Sequence, residues 1–178
     1  MSRRLAEGMP QKEPRAHGPA HRAVVALGAN LGQRVDTIAE AIADLGRLPM
    51  TELVAAAEPI ESVAITLGGP DADAPRYLNT VALIDTRLAP SLLLGYLHAI
   101  EGRHGRERRE RWGSRTLDLD LITYGDVRSD DPALVLPHPR AAERDFVLDP
   151  WLSIDPDAVL PGVGTVADLR AALPGGAG

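Results

Sequence analysis

Asp118 and Asp120 stand two residues apart in the run Thr116-Leu117-Asp118-Leu119-Asp120-Leu121-Ile122, where apolar and polar residues alternate. Extended as a strand, that run sends both carboxylates to one face and Leu117, Leu119 and Leu121 to the other. Two carboxylates sharing a face repel each other and call for a cation between them. Hard oxygen ligands suit Mg²⁺, which keeps several waters and also accepts substrate phosphates. Just upstream lies RERRERWGSR, residues 106–115. A guanidinium pairs bidentately with phosphate oxygens, so these arginines are natural anion clamps. Cation ligands beside anion clamps predict metal-assisted chemistry on a polyphosphate.

The charge distribution agrees with this. The 178-residue chain carries a net charge of −6, which disfavours a general nucleic-acid binder. Positive charge is nevertheless concentrated: Lys12 is the only lysine, while Arg103, Arg106, Arg108, Arg109, Arg111 and Arg115 fall within 13 residues. The bland reading is a solvated charged loop. Trp112, Gly113 and the adjacent aspartates argue instead for a patch that holds a compact anion. Like charges this dense repel until neutralised, so residues 103–115 are expected to order around a polyphosphate. With no cysteine, disulfides, thiolate metal sites and cysteine nucleophiles are excluded. No apolar run approaches the ~20 residues of a membrane helix, and the N-terminal stretch lacks the apolar segment of a secretory signal. A cytoplasmic protein without membrane or nucleic-acid partners is expected.

At 44% hydrophobic residues the chain suits one packed domain. Residues 1–21, rich in Gly, Pro, Arg, Glu and His, read as a flexible tail, and 22–174 as the folded domain. Ala23–Leu27 predicts a buried strand ending in the turn Gly28-Ala29-Asn30-Leu31-Gly32. A helix follows with Val35, Ile38, Ile42 and Leu45 on one side and Gly46 as its stop. A second strand is expected from Leu53 to Ser62, then a Gly/Pro/Asp-rich loop at 66–76, then a strand from Tyr77 to Thr86. Pro90 opens a helix carrying Leu93, Leu97 and Ile100. The arginine stretch and aspartate strand come next, then helical segments in 137–154 and a small helix in TVADLRAAL. This βαββαβ order predicts a ferredoxin-like α+β sandwich with helices on one face of a mostly antiparallel sheet, plus C-terminal additions. The glycine turn lacks GxxxxGK[ST], so a Walker-type NTPase is unsupported.

Four segments carry a resemblance: ALGANLG (26–32), RYLNTVAL (76–83), Glu101 to Leu121, and LPHPRAAERDFVL (136–148). Together they resemble the 6-hydroxymethyl-7,8-dihydropterin pyrophosphokinase family of folate biosynthesis, over about residues 23–161. The resemblance implies ATP as co-substrate and transfer of pyrophosphate to the pterin hydroxymethyl oxygen, releasing AMP. It implies that Asp118 and Asp120 bind two Mg²⁺ ions. It further implies that Arg106, Arg108, Arg111 and Arg115 close over the triphosphate with Trp112 among them, Arg106 and Arg115 acting in catalysis. Glu101, His138 and Arg144 match further nucleotide-contacting positions.

On the pterin side, a flat heterocycle rich in hydrogen-bonding groups is best held between aromatic faces with an amide at its edge. Tyr77 and Phe146 match the aromatic pair, Asn79 the amide and Ser62 a position that is often threonine. Asn30 would orient the pocket from the first turn, and the backbone near Val63 and Ile65 would add contacts. Singly, each has a plainer reading: core aromatics, turn amides, a structural histidine between prolines. Their joint order and spacing outweigh those readings.

Ala29, His98 and Pro139 depart from frequent family residues, but no metal ligand or arginine is lost. The alternative function is a catalytically silent relative that keeps pterin or nucleotide binding, against which the intact aspartates and arginines speak. An RNA-binding ferredoxin-like domain would need exposed aromatics on a basic sheet face, which the charge and the strand pattern disfavour.

Overall fold

The computed structural model describes residues 18–66, 69–71, 75–105 and 116–174. The expected tail up to residue 17 and the arginine stretch 106–115, with Trp112, lie outside the described residues. In chain order the elements are β1 (His21–Ala29), α1 (Arg34–Gly46), β2 (Thr51–Ala56), β3 (Ile60–Ser62), β4 (Ala64–Thr66), β5 (Gly69–Asp71) and β6 (Tyr77–Thr86). Then come α2 (Pro90–Arg103), β7 (Asp118–Tyr124), β8 (Ser129–Asp131), β9 (Leu134–Leu136), a 3₁₀ turn (Ala141–Glu143), α3 (Asp145–Ile154), β10 (Val159–Leu160), β11 (Gly164–Thr165) and α4 (Val166–Ala172).

The main sheet runs β2-β6-β1-β7 with β3 also on β6, and every neighbouring pair is antiparallel. Period-two alternation explains its two-sided burial. Ala23, Val25 and Leu27 of β1 face α1 and α2, together with Leu117, Leu119 and Leu121. Val24 and Ala26 face the other way, with Val81, Leu83, Ile122 and the α3 residues Val147, Leu148 and Trp151. Helices therefore cover both faces, which corrects the one-faced expectation. The C-terminal elements are a second layer because the outward face of the central strands is itself apolar.

Local chemistry accounts for the element ends. Pro90 sits at the first helical positions of α2, where its missing N–H costs nothing. The apolar stripe of α1 is Ile38, Ala41 and Leu45; Val35, one turn earlier, is exposed. The second strand expected from Leu53 to Ser62 is two strands, because Pro59 cannot donate to the ladder. Thr80 closes the gap, its Oγ1 donating to the Ala57 carbonyl at 2.6 Å. A short β4–β5 ladder, with Pro70 opposite Ile65, runs into the expected loop at 66–76. His21, expected in the tail, opens β1 and stacks on Tyr124 with ring centroids 5.1 Å apart. At that same end of the sheet Arg22 and Asp85 are register partners joined at 2.6 Å. Among the described residues no helix is long and apolar enough to cross a membrane.

Candidate active site

One ladder row builds the floor of the site. Asn79 of β6 pairs with Gly28 of β1, and Gly28 pairs with Asp118 of β7. Directly opposed residues share a face at strand spacings of about 4.8 Å, so an amide and a carboxylate flank a residue without a side chain. In the next row Ala26 lies between Val81 and Asp120. At these two rows the central strand presents only Gly28 and Ala26 on this face, and a trough opens over them. A Cβ on Gly28 would come to 3.0 Å from Asn79 Oδ1, so even alanine would crowd the amide.

The start of α3 and the turn before it roof the trough. The resulting cavity, about 230 Å³, is lined among others by Ser62, Tyr77, Asn79, Asp118, Asp120, Arg144 and Phe146. Seven positions singled out in the sequence, from β3, β6, β7 and the α3 end, therefore share one cavity. Asn79 Nδ2 donates to Ser62 Oγ at 2.7 Å, which fixes the amide at the cavity wall. Asp118 and Asp120 lie on the α3 face, as the alternation required. Arg144 Nη1 donates to Asp120 Oδ2 at 2.9 Å, and the same guanidinium lies 5.8 Å from the Phe146 ring centroid. His138 Nε2 is 3.8 Å from that carboxylate oxygen. Its Nδ1 accepts the Arg140 backbone N–H at 3.2 Å, which leaves Nε2 to carry the proton. Burial pushes the His138 imidazole below its usual range; Asp120 opposes this, and Arg144 and Arg140 add to it.

Two expected site residues fall elsewhere. Glu101 is 1% exposed, and its Oε1 accepts the Leu119 backbone N–H at 2.8 Å. It ties α2 to the inner side of β7 rather than lining the cavity. Asn30 follows β1, is 6% exposed and does not line the cavity either; among the described residues its Oδ1 has no partner. Arg106, Arg108, Arg111, Trp112 and Arg115 lie outside the described residues. Sequence reading missed Arg140 and Glu143, which line the cavity and pair at 3.5 Å. Their position within the same LPHPRAAERDF segment, three residues apart, was the available signal.

The donor set fits a hard divalent cation. Two carboxylates share one face beside a guanidinium, and no group of three or more His, Asp or Glu gathers into a cage among the described residues. A cation held this way keeps most of its coordination for water and phosphate oxygens, the habit of Mg²⁺. One wall can hold a flat ring and the other a cation with its phosphates.

Comparison with known proteins points to one family. The family model described as 7,8-dihydro-6-hydroxymethylpterin-pyrophosphokinase (HPPK) matches residues 24–156. A 2-amino-4-hydroxy-6-hydroxymethyldihydropteridine pyrophosphokinase of Pseudomonas aeruginosa is 44% identical over 153 residues, covering 86% of this chain and 92% of the relative. The Haemophilus influenzae protein of the same name is 39% identical, covering 83% of this chain and 89% of its own. Among solved structures, a Plasmodium falciparum HPPK-DHPS chain superposes with a TM-score of 0.66 at 12% identity. That superposition covers 87% of this chain and 46% of the solved one, a likeness of fold.

Proposed function

The chain belongs to the 7,8-dihydro-6-hydroxymethylpterin-pyrophosphokinase family and is an enzyme of pyrophosphoryl transfer in folate biosynthesis, and we propose that the cavity between the sheet and α3 is where it works. The observation that carries this is the meeting of Tyr77, Asn79 and Phe146 with Asp118, Asp120 and Arg144 in one cavity. In this reading Tyr77 and Phe146 hold the pterin ring, Asn79 reads its edge, and Ser62 keeps the amide in place. Asp118 and Asp120 hold Mg²⁺, two ions by the family pattern. Bound Mg²⁺ supplies charge neutralisation and alignment of the polyphosphate.

The pterin hydroxymethyl oxygen attacks the β-phosphorus of ATP. The bond from that phosphorus to the oxygen bridging it to the α-phosphate breaks, AMP leaves, and the hydroxyl proton passes to solvent. Arg144 and His138 face the phosphates with hydrogen-bond donors. Arg106, Arg108, Arg111 and Arg115, with Trp112, close on the triphosphate, where Arg106 and Arg115 stabilise charge developing in the transition state. Glu101 supports the strand that carries the aspartates, and Asn30 orients the pocket from the first turn.

The finer fold class in this reading is ferredoxin-like. The strand order β2-β6-β1-β7 supports it, with antiparallel neighbours and α1 and α2 as the two crossovers. We read residues 22–174 as one pyrophosphokinase domain, since α3 and α4 pack on the same sheet as the rest. ATP and the hydroxymethyl dihydropterin are its partners, in the cytoplasm, where ATP is available. The decisive assay follows AMP production from ATP. AMP should form only when hydroxymethyl dihydropterin and Mg²⁺ are both present, and AMP formed without the pterin would refute the assignment.

A further inference from the structure

Resting on the reading of Asp118 and Asp120 as the cation side of the cavity, we infer that Arg144 is a placeholder cation. Its guanidinium compensates Asp120 in the metal-free enzyme and must release that carboxylate when a divalent cation enters. It then becomes available to the polyphosphate that arrives with the cation.

The geometry supplies each part. Arg144 Nη1 sits 2.9 Å from Asp120 Oδ2, with side chains 21% and 32% exposed, so the pair is sheltered from full solvent screening. His138 approaches the same oxygen at 3.8 Å, but its Nδ1 accepts from the Arg140 amide, so it presents a neutral N–H donor. Among the described residues Arg144 is therefore the full positive charge within reach of Asp120. The backbones at both ends are anchored. Asp120 is fixed by its register with Ala26, and Arg144 by its carbonyl, which accepts the Val147 and Leu148 amides at the start of α3. With both backbones held, a change at this pair falls to the side chains, of which the arginine is the longer.

A divalent cation and a guanidinium cannot both sit against one carboxylate oxygen without strong repulsion. Cation binding alone therefore sacrifices the ion pair. Cation binding together with a polyphosphate offers the guanidinium a new bidentate partner. The two ligands thereby favour each other through Arg144, a positive coupling that acts in both directions. The guanidinium also lies beside the Phe146 ring, so its departure changes the surroundings of the proposed ring-binding wall.

The test measures Mn²⁺ binding by paramagnetic resonance, with and without an ATP analogue whose α,β-bridging oxygen is replaced by methylene. Without nucleotide, Arg144→Gln should bind Mn²⁺ tighter than wild type by about 5-fold or more, and the gain in Mn²⁺ affinity on adding the analogue should shrink by a similar factor. Arg144→Lys, which keeps the charge, should stay close to wild type. A residue of purely structural importance would weaken Mn²⁺ binding in both conditions. Unchanged or weaker Mn²⁺ binding by folded Arg144→Gln, or tighter binding by Arg144→Lys, overturns the inference while leaving the pyrophosphokinase assignment standing. If wild type binds no Mn²⁺ even with the analogue, the cation reading itself falls and takes the inference with it. Should Arg144→Gln not fold, the Arg144 Nε–H resonance of wild type serves instead. It should shift when Mg²⁺ and the analogue are added together, and a resonance that stays in place overturns the inference.

Discussion

Asp120 meets a guanidinium at 2.9 Å and an imidazole at 3.8 Å. Two carboxylates on one face repel each other, but Arg144 already compensates Asp120. Asp118→Asn and Asp120→Asn should each reduce turnover by at least about 100-fold, since even outer-shell changes at a metal site cost about 10–100-fold. Asp120→Asn should also lower metal-free stability, by up to about 1 kcal/mol for a partly exposed pair. Steady-state kinetics and urea unfolding measure the two effects, and an active Asp120→Asn enzyme would end the cation reading. Across the trough, Tyr77→Ala and Phe146→Ala should each weaken pterin binding by about 1–3 kcal/mol, the scale of base–aromatic stacking. Nucleotide affinity should change much less; equal losses for both ligands in calorimetry would point to damage of the core.

Elements matter here through what ties them together. Glu101 joins α2 to β7 by accepting the Leu119 N–H. Glu101→Ala leaves that buried donor unpaired and should cost about 1–3 kcal/mol of stability. Glu101→Gln keeps an acceptor and should cost less, with nucleotide affinity near wild type. A large loss of nucleotide binding by folded Glu101→Gln would restore the direct contact that the family resemblance implied. At the other end of β1, the Arg22 guanidinium, hydrogen-bonded to Asp85, holds that carboxyl below its usual range against a smaller effect of burial. A lowered folded-state value means the pair stabilises the protein above the ordinary carboxylate range. That contribution is lost as pH falls through the lowered value. Asp85→Asn should thus be less stable than wild type at neutral pH, by less than about 1 kcal/mol. The difference should vanish in acid, and urea midpoints across pH measure it.

For the whole molecule, the cavity lies where the sheet meets the layer formed by α3 and α4, so a ligand there touches both the strands and the helix that pack into one cluster. Ligand binding should stabilise the entire fold. Mg²⁺ with the methylene ATP analogue at 100 times its Kd should add about 2.7 kcal/mol. In a domain of this size that raises Tm by about 5–10 °C. Calorimetry should show this shift in wild type and lose most of it in Asp120→Asn. An equal shift in the variant would place the nucleotide elsewhere.

The sequence by itself determined β1, β6 and β7, which carry the floor of the site, the helix opened by Pro90, and the shared face of Asp118 and Asp120, because periodicity and proline act over neighbouring residues. It also determined the family, since Arg106 to Leu121 and LPHPRAAERDF pair chemistry with spacing. Tertiary structure alone decided which of those residues meet. The row Asn79–Gly28–Asp118 comes from strand registers set across more than 50 positions of chain. The removal of Glu101 into the core reflects which side of β7 its helix packs on. The pairing of Arg144 with Asp120 depends on α3 lying over the face opposite α1 and α2. No local pattern encodes these outcomes, because each is settled by which apolar surfaces remain to be covered once the sheet has formed.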